Sequence, residues 1–348
     1  MQRKLISFFI LIFISFPSFS TIFFKETFDR NWKERWVFSE NDPDLGKWVL
    51  SPGKWFGNPR VDIGLKSKTN NKLYAISSKF WEEIQSTENK TIVIQFSVKF
   101  TQDIECGGGY IQIFGSDADQ KVLDRENEYK ILFGPDICAK HKRIQFILGY
   151  NNSKLMWKKV VDWEKDKFTH VYTLVLKPEN QYEVWVDLKK IESGSLLNDW
   201  NFNQFEEYIE SNLENQNKNS KKIIFKNLGL IALKFAQVQS GTIFDNILIT
   251  DDFEYAVKFA QNTWGKSKEI EKEKFFEIQE KMKIIEEKMK RNETIESDLE
   301  IESELEIDSD LEFELESDFE IQSEWEVETD LEIDLKLKKK SKSEKKEL

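Results

Sequence analysis

Cysteine, histidine and proline are scarce in this 348-residue sequence, and each scarcity excludes a class of protein. Two cysteines, Cys106 and Cys138, permit one intramolecular disulfide and no other connectivity. They do not form a Cys-x-x-Cys pair, so a catalytic disulfide is not expected. A structural bridge between them would stabilise by about 3–4 kcal/mol on the chain-entropy estimate. Two histidines, His141 and His170, lack neighbours at metal-ligand or triad spacing, and His170 reads as structural. Paired carboxylates in Glu306-Ile307-Asp308 imitate a glycosidase strand, but they lie in a repetitive tail where such strings arise by chance. Asn41-Asp42-Pro43-Asp44-Leu45-Gly46 is too short and too poor in acids for an EF-hand loop. An enzyme is therefore not expected. Six prolines occur, with none after Pro178, so the second half holds no proline-rich segment. Beyond the N-terminus no apolar run approaches a membrane span, so a soluble mature chain without membrane insertion is expected.

The two ends carry addresses. Met1–Lys4 is basic, Leu5–Phe16 is almost wholly apolar, and Ser18-Phe19-Ser20 supplies small residues for cleavage. Residues 1–20 thus read as a secretory signal peptide. The final Lys345-Lys346-Glu347-Leu348 resembles the tetrapeptide read by a retrieval receptor. Together the ends point to the endoplasmic reticulum lumen, where a disulfide persists. Asn89-Lys90-Thr91, Asn151-Asn152-Ser153 and Asn292-Glu293-Thr294 are glycosylation sequons.

The formal charge of −12 is partitioned sharply. Residues 292–335 hold twenty Asp and Glu and no Lys or Arg, whereas 336–348 hold seven Lys against two Glu. The body before them is nearly neutral. A confined polyanion attracts cations and argues against a nucleic-acid partner.

From residue 21 to about 250 the text reads as short strands rich in β-branched and aromatic residues. Ile92–Val98, Gly109–Phe114, Arg143–Tyr150, His170–Leu176, Tyr182–Val186 and Gly241–Thr250 are examples, with Gly, Asn, Asp and Pro between them. No helical periodicity alternates with them, which predicts an antiparallel sandwich. Asp252–Asn262 and Lys268–Arg291 then read as helices, the second with Phe275, Ile278, Met282, Ile285 and Met289 three and four apart. In the tail, odd positions from Ile295 to Leu337 are apolar or Ser/Thr, and even positions from 296 to 334 are acidic except Gln322. A six-residue repeat runs through it, as in Ser297–Glu302 and Ser303–Asp308. On an extended strand its same-face carboxylates would lie roughly 6.6 Å apart. Their repulsion of about 0.6 kcal/mol per neighbouring pair in water is relieved by a divalent ion. Many weak, exposed calcium sites are the expectation.

Several stretches carry a family resemblance. Phe23-Phe24-Lys25-Glu26-Thr27-Phe28 with Trp32 and Arg35-Trp36, Asp103–Tyr110 around the triple glycine, and Glu128-Tyr129 continuing to Phe133–Cys138 come first. Phe168–Leu174, Glu192–Leu196, Gln237–Asn246 and Asn262–Gly265 follow in the same order. Over residues 21–291 the chain resembles the calreticulin family. The resemblance implies a mostly β fold, a legume-lectin-like jelly-roll sandwich, here followed by a C-terminal α-helix and an acidic tail. The sandwich is expected over 21–200 and 226–250, with helices over 251–291, the acidic repeat over 292–335 and a basic segment over 336–348.

The chain departs from the family in two places. After Asn198-Asp199-Trp200 the family opens into a proline-rich arm that recruits folding partners, whereas here only residues 201–225 bridge to the returning strands. At the family's glycan-binding positions Tyr110, Tyr129 and Asp136 match. Gln112 replaces a lysine, Lys234 an aspartate and Ala236 a tryptophan, which weakens the expectation of sugar binding. The family's calcium site maps onto the Asp245 carboxylate with main-chain carbonyls of Thr27, Val61 and Ile63. The resulting expectation is a calcium-binding and calcium-buffering luminal protein with chaperone activity toward unfolded or misfolded glycoproteins. The alternative is a lectin chaperone for monoglucosylated glycoproteins.

Overall fold

The computed structural model describes residues 20–123, 128–150, 153–201 and 222–290. The expected signal segment, most of the 201–225 bridge, the acidic repeat, the basic end and the sequons beginning at Asn151 and Asn292 lie outside the described residues.

Two antiparallel sheets face each other. The first contains β1 (Ile22–Glu26), β3 (Trp48–Ser51), β4 (Gly64–Ser67) and β6 (Ile92–Phe100). It is completed by β12 (Thr169–Lys177), β13 (Gln181–Val186), β14 (Lys189–Ser195) and β16 (Thr242–Thr250). The second contains β2 (Val37–Phe38), β5 (Lys72–Ser86), β7 (Cys106–Gly108) and β8 (Ile111–Gly115). Its other members are β9 (Ile131–Cys138), β10 (His141–Tyr150), β11 (Ser153–Met156) and β15 (Lys226–Gln237). In the first sheet the order is β14-β13-β12-β6-β16-β4-β3, with β1 also on β16. This is the lectin-like sandwich expected from the strand-rich text. The expected strand over 109–114 begins two residues later, as β8, with Gly109 and Tyr110 separating it from β7.

Alternate side chains of both sheets meet in an aromatic core. Phe96 of β6 meets Phe133 of β9 edge to face, with ring centroids 6.1 Å apart. Phe235 of β15 lies 5.4 Å from Phe244 of β16. Trp200, the last large side chain before the bridge, is buried with its ring 4.7 Å from Phe146. Cys106 and Cys138 are cross-strand partners on β7 and β9 and form the expected disulfide.

Helix α1 (Trp32–Arg35) is a single turn, whereas α2 (Phe253–Asn262) and α3 (Trp264–Lys290) cover the outer face of the first sheet. Every residue of β6 is buried for this reason, since the core lies on one side and α2 on the other. Asp252 caps α2 by accepting from the Tyr255 N–H at 2.9 Å. The second long helix begins at Trp264, not at Lys268 as its periodicity predicts, and Gly265 sits inside it. Tertiary anchoring explains the difference: Trp264 is buried and donates its indole N–H to the Thr169 carbonyl at 2.7 Å. Of the expected Phe–Met stripe, Phe275, Ile278 and Met282 have described side chains. Phe275 packs on Trp55 and Phe168, while Met282 is substantially exposed. Among the described residues no helix is long and apolar enough to cross a membrane.

Candidate calcium site and outer sheet face

Asp245 lies where β16 changes partners. Along one edge β4 pairs with Ile243 and Phe244, and β1 pairs with Ile247 to Thr250. Between them the pairing with β6 shifts register from Asp245 to Leu248, and Asn246 takes a left-handed φ of 51°. Such a bulge re-aims a side chain. Gly64 at the start of β4 permits the close approach, because a Cβ there would fall 3.1 Å from Asp245 Cβ and 2.7 Å from the Phe244 carbonyl oxygen.

The carboxylate so placed is half satisfied. Asp245 Oδ2 accepts from Asn246 Nδ2 at 2.8 Å, while the Ser97 hydroxyl donates to the Asp245 main-chain carbonyl at 2.9 Å. Although the residue as a whole is only partly buried, its Oδ1 is shut off from solvent and has no partner among the described residues. Burial, opposed by the Asn246 main-chain N–H and reinforced by the nearby charges of Glu26 and Asp62, holds its pKa well above the usual carboxylate range. A buried anion with an unanswered oxygen is costly unless a cation answers it.

The surrounding backbone is held by two further carboxylates. Glu26 accepts from the N–H groups of Thr27 at 3.0 Å and Phe28 at 2.8 Å, from Trp36 Nε1 at 3.0 Å, and from Arg35 Nε at 2.9 Å and Nη2 at 2.8 Å. This anchors a turn in which Phe28 takes a φ of 42°, and with it the Thr27 peptide. Asp62 accepts from the N–H groups of Gly57 and Asn58 at 2.8 Å, so its loop wraps around it. Val61, Asp62, Asp245 and Asn246 line one cavity, and Ile63 immediately precedes Gly64 of β4. A calcium ion would suit this donor set, with the Asp245 carboxylate and main-chain oxygens of Thr27, Val61 and Ile63 as its protein ligands. Glu26, Arg35 and Asp62 escaped the sequence reading. Glu26 stands inside a quoted motif, but nothing in linear spacing links it to Arg35 across a turn.

The glycan positions lie on the other sheet. Gln112 of β8 is opposite Leu132 of β9 and Ala232 of β15, on the face turned away from the core. Its Nε2 donates to the Lys234 carbonyl at 3.0 Å, and its buried Oε1 has no partner among the described residues. Lys234 is buried, and Ala236 on the same strand is exposed. Asp136 of β9 is paired across the strands with Gly108 and Arg143 and accepts from Gln145 Nε2 at 3.0 Å. Burial, opposed by that bond and by Arg143, raises its pKa. Burial also raises Tyr110, with added repulsion from Asp136 and Tyr129, and pushes Tyr129 up to about 12. Tyr110, Tyr129 and Asp136 are thus electrostatically coupled, with Gln112 and Lys234 in adjoining positions. Gly108 is required here, since a Cβ would lie 2.1 Å from the Tyr110 ring.

His170 is structural, as its strand position implied. Its Nδ1 meets Asp187 at 2.7 Å and its Nε2 meets Asp166 at 2.9 Å. Burial alone would lower its pKa, but these two carboxylates push it up to about 10. Glu164 adds a ligand atom to Asp166 and His170, within 4.8 Å. With both ring nitrogens engaged, the group acts as an ion-pair clamp.

The antiparallel sandwich, with its glycine-shaped outer face and helix-covered back, defines a lectin-like β-sandwich protein. A model of the calreticulin family matches residues 24–222. Calreticulin-3 of Mus musculus is 36% identical over 323 residues, covering 73% of this chain and 84% of that protein. Calreticulin of Bos taurus is 32% identical over 339 residues, covering 73% and 81%. The globular domain of T. cruzi calreticulin superposes with a TM-score of 0.66 at 31% identity, covering 75% of this chain and all of that one. The chain belongs to the calreticulin family. An alignment of 323 positions uses only 73% of these 348 residues, so the relative carries residues for which this chain has no counterpart. That agrees with a missing proline-rich arm.

Proposed function

We propose that this protein is a calcium-binding and calcium-buffering chaperone of the endoplasmic reticulum lumen, acting on unfolded and misfolded proteins. The observation that carries the calcium reading is the solvent-excluded, unpartnered Oδ1 of Asp245 amid the charges of Glu26 and Asp62. A bound calcium ion supplies the positive charge that this carboxylate lacks, and main-chain oxygens complete its cage. Glu26 and Asp62 act by holding the two loops in register. The polyanionic repeat of residues 292–335 adds many weak sites, and the terminal segments supply entry to the lumen and retrieval. Membership of the family supports the chaperone part.

Equilibrium dialysis of the full chain, of Asp245→Asn and of a chain ending at Arg291 separates these sites. Asp245→Asn is expected to lose one site of the higher affinity class, and truncation is expected to lose most of the capacity. Full capacity in the truncated chain would remove the buffering role, and an unchanged high-affinity site in Asp245→Asn would remove the body site.

A second reading, a lectin chaperone for monoglucosylated glycoproteins, is favoured by the unpartnered Gln112 Oε1 on the outer face of the second sheet. Glycan-array binding to monoglucosylated high-mannose sugar tests it. We place it second because Lys234 offers a donor where the family offers a carboxylate acceptor.

A further inference from the structure

The cavity beside Asp245 is larger than a metal ion needs. It encloses about 350 Å³ between the 52–62 loop, the outer faces of β6 and β16, and the start of α3. That lies within the size range of small-ligand pockets. Its walls are largely apolar, with Trp55, Ile243, Trp264 and Ile270 among them. Asp245 is one of its wall residues, and its Oδ1 is cut off from solvent and unpartnered among the described residues. Elsewhere in the wall Lys99 and Glu271 are buried 2.9 Å apart, so they offset one another's charge. At the mouth Val61 is 70% and Ile270 44% exposed, which makes an apolar rim.

Asp62 and Lys266 also line the cavity, the Asp62 carboxylate being engaged by the Gly57 and Asn58 N–H groups, so the Asp245 carboxylate is the wall anion with an unanswered oxygen. A largely apolar cavity with such a carboxylate in its wall complements an alkyl stem with a weakly hydrated cation at its tip. Guanidinium meets that description better than ammonium, because it is more cheaply desolvated and can present two N–H groups to a carboxylate. We propose that this cavity binds an alkylguanidinium group, the chemistry of an arginine side chain on an unfolded client. We also propose that guanidinium and calcium exclude each other at Asp245. The binding half stands on the cavity and the carboxylate, while the exclusion half rests on the calcium reading above. Calcium then acts as a release signal for clients held by this pocket.

The test is calorimetric titration of the full chain with N-acetyl-arginine amide, in chelator and in calcium, against its neutral citrulline analogue. In chelator the arginine compound is expected to bind about tenfold to a hundredfold more tightly than citrulline, the range for a hydrogen bond to a charged group. Asp245→Asn is expected to abolish that preference. Ile270→Trp narrows the mouth and is expected to weaken arginine while calcium binding is retained. The acidic repeat is common to all variants, so only differences between them report on the cavity. An arginine preference unchanged in both variants, or absent from the native chain, would overturn the proposal. Arginine binding that persists when calcium occupies Asp245 would overturn the exclusion half. Arginine binding without any calcium binding at Asp245 would overturn the calcium reading and leave the cavity assignment supported.

Discussion

The outer faces of the two sheets solve opposite electrostatic problems. Behind the first sheet, Asp245 is an anion whose buried oxygen lacks a donor, and Glu26 and Asp62 add negative charge around it. On the outer face of the second, Lys234 is a buried cation, and Gln112 leaves an acceptor oxygen unanswered. The first arrangement needs a cation and the second needs a hydrogen-bond donor. The difference teaches that one scaffold can keep one of its sites while the chemistry of another is rewritten. The proposed calcium cage draws largely on main-chain carbonyls, which substitutions leave in place. The sugar face uses side chains, which substitutions change.

The largest effect should come from Glu26, which supports the first face without being one of its proposed ligands. Glu26→Ala strips a buried carboxylate from five donors and leaves Arg35 only its exposed pairing with Asp29. A loss of about 3 kcal/mol is expected, measured by urea denaturation. Calcium affinity should fall with it, and retained affinity would show that the Thr27 turn holds without Glu26.

The His170 clamp comes next. Its folded pKa of about 10 lies above the ordinary imidazole value of 6.5, so its contribution is fully present below about pH 6.5 and is lost as pH rises toward 10. His170→Gln should be destabilised by on the order of 2–4 kcal/mol at pH 6. The gap from the native protein should close at alkaline pH. A gap independent of pH would mean that the imidazole acts by packing alone.

A smaller and oppositely signed effect is expected at Asp245. Its folded pKa lies above the unfolded value of 3.8, so the calcium-free protein loses stability as pH rises through the interval between the two. In chelator, Asp245→Asn should therefore be more stable than the native protein by about 1–2 kcal/mol at pH 7. With calcium present the order should reverse. Thermal melts with and without calcium check this crossing, and its absence would sever the carboxylate from the metal.

The least effect is expected on the second face. Lys234→Asp together with Gln112→Lys restores the family's charge pattern and should add about 1 kcal/mol of affinity for monoglucosylated glycan. Stability should change little if the new pair satisfies itself. No gain on a glycan array would place the deficit at Ala236, where the family's aromatic ring is missing.

Much of the scaffold was legible in linear text. Richness in β-branched and aromatic residues identified strands such as Ile92–Val98, which the structure extends to Phe100, and two cysteines left a single pairing, which the structure contains. Strand β5 was less legible, because Ser77, Ser78 and Lys79 interrupt its apolar pattern where side chains turn to the outer face or to neighbouring main chain. The start of α3 was misplaced because Gly265 reads as punctuation until Trp264 finds the Thr169 carbonyl. At the candidate site, Asp245 was visible through the motif around it. Glu26 with Arg35, Asp62 and the Lys99–Glu271 pair were not, since each depends on residues that meet only across turns or between elements.

By itself the sequence determined a strand-rich body, one possible disulfide, a polyanionic tail and a resemblance to one family. These are matters of composition, alternation and local motif, which need no partner from elsewhere in the chain. The tertiary structure alone decided that the Asp245 oxygen is buried and unanswered, that Glu26 locks the Thr27 turn, and that a cavity opens beneath α3. Desolvation and charge pairing depend on what the fold brings close, and that proximity is not written in residue order.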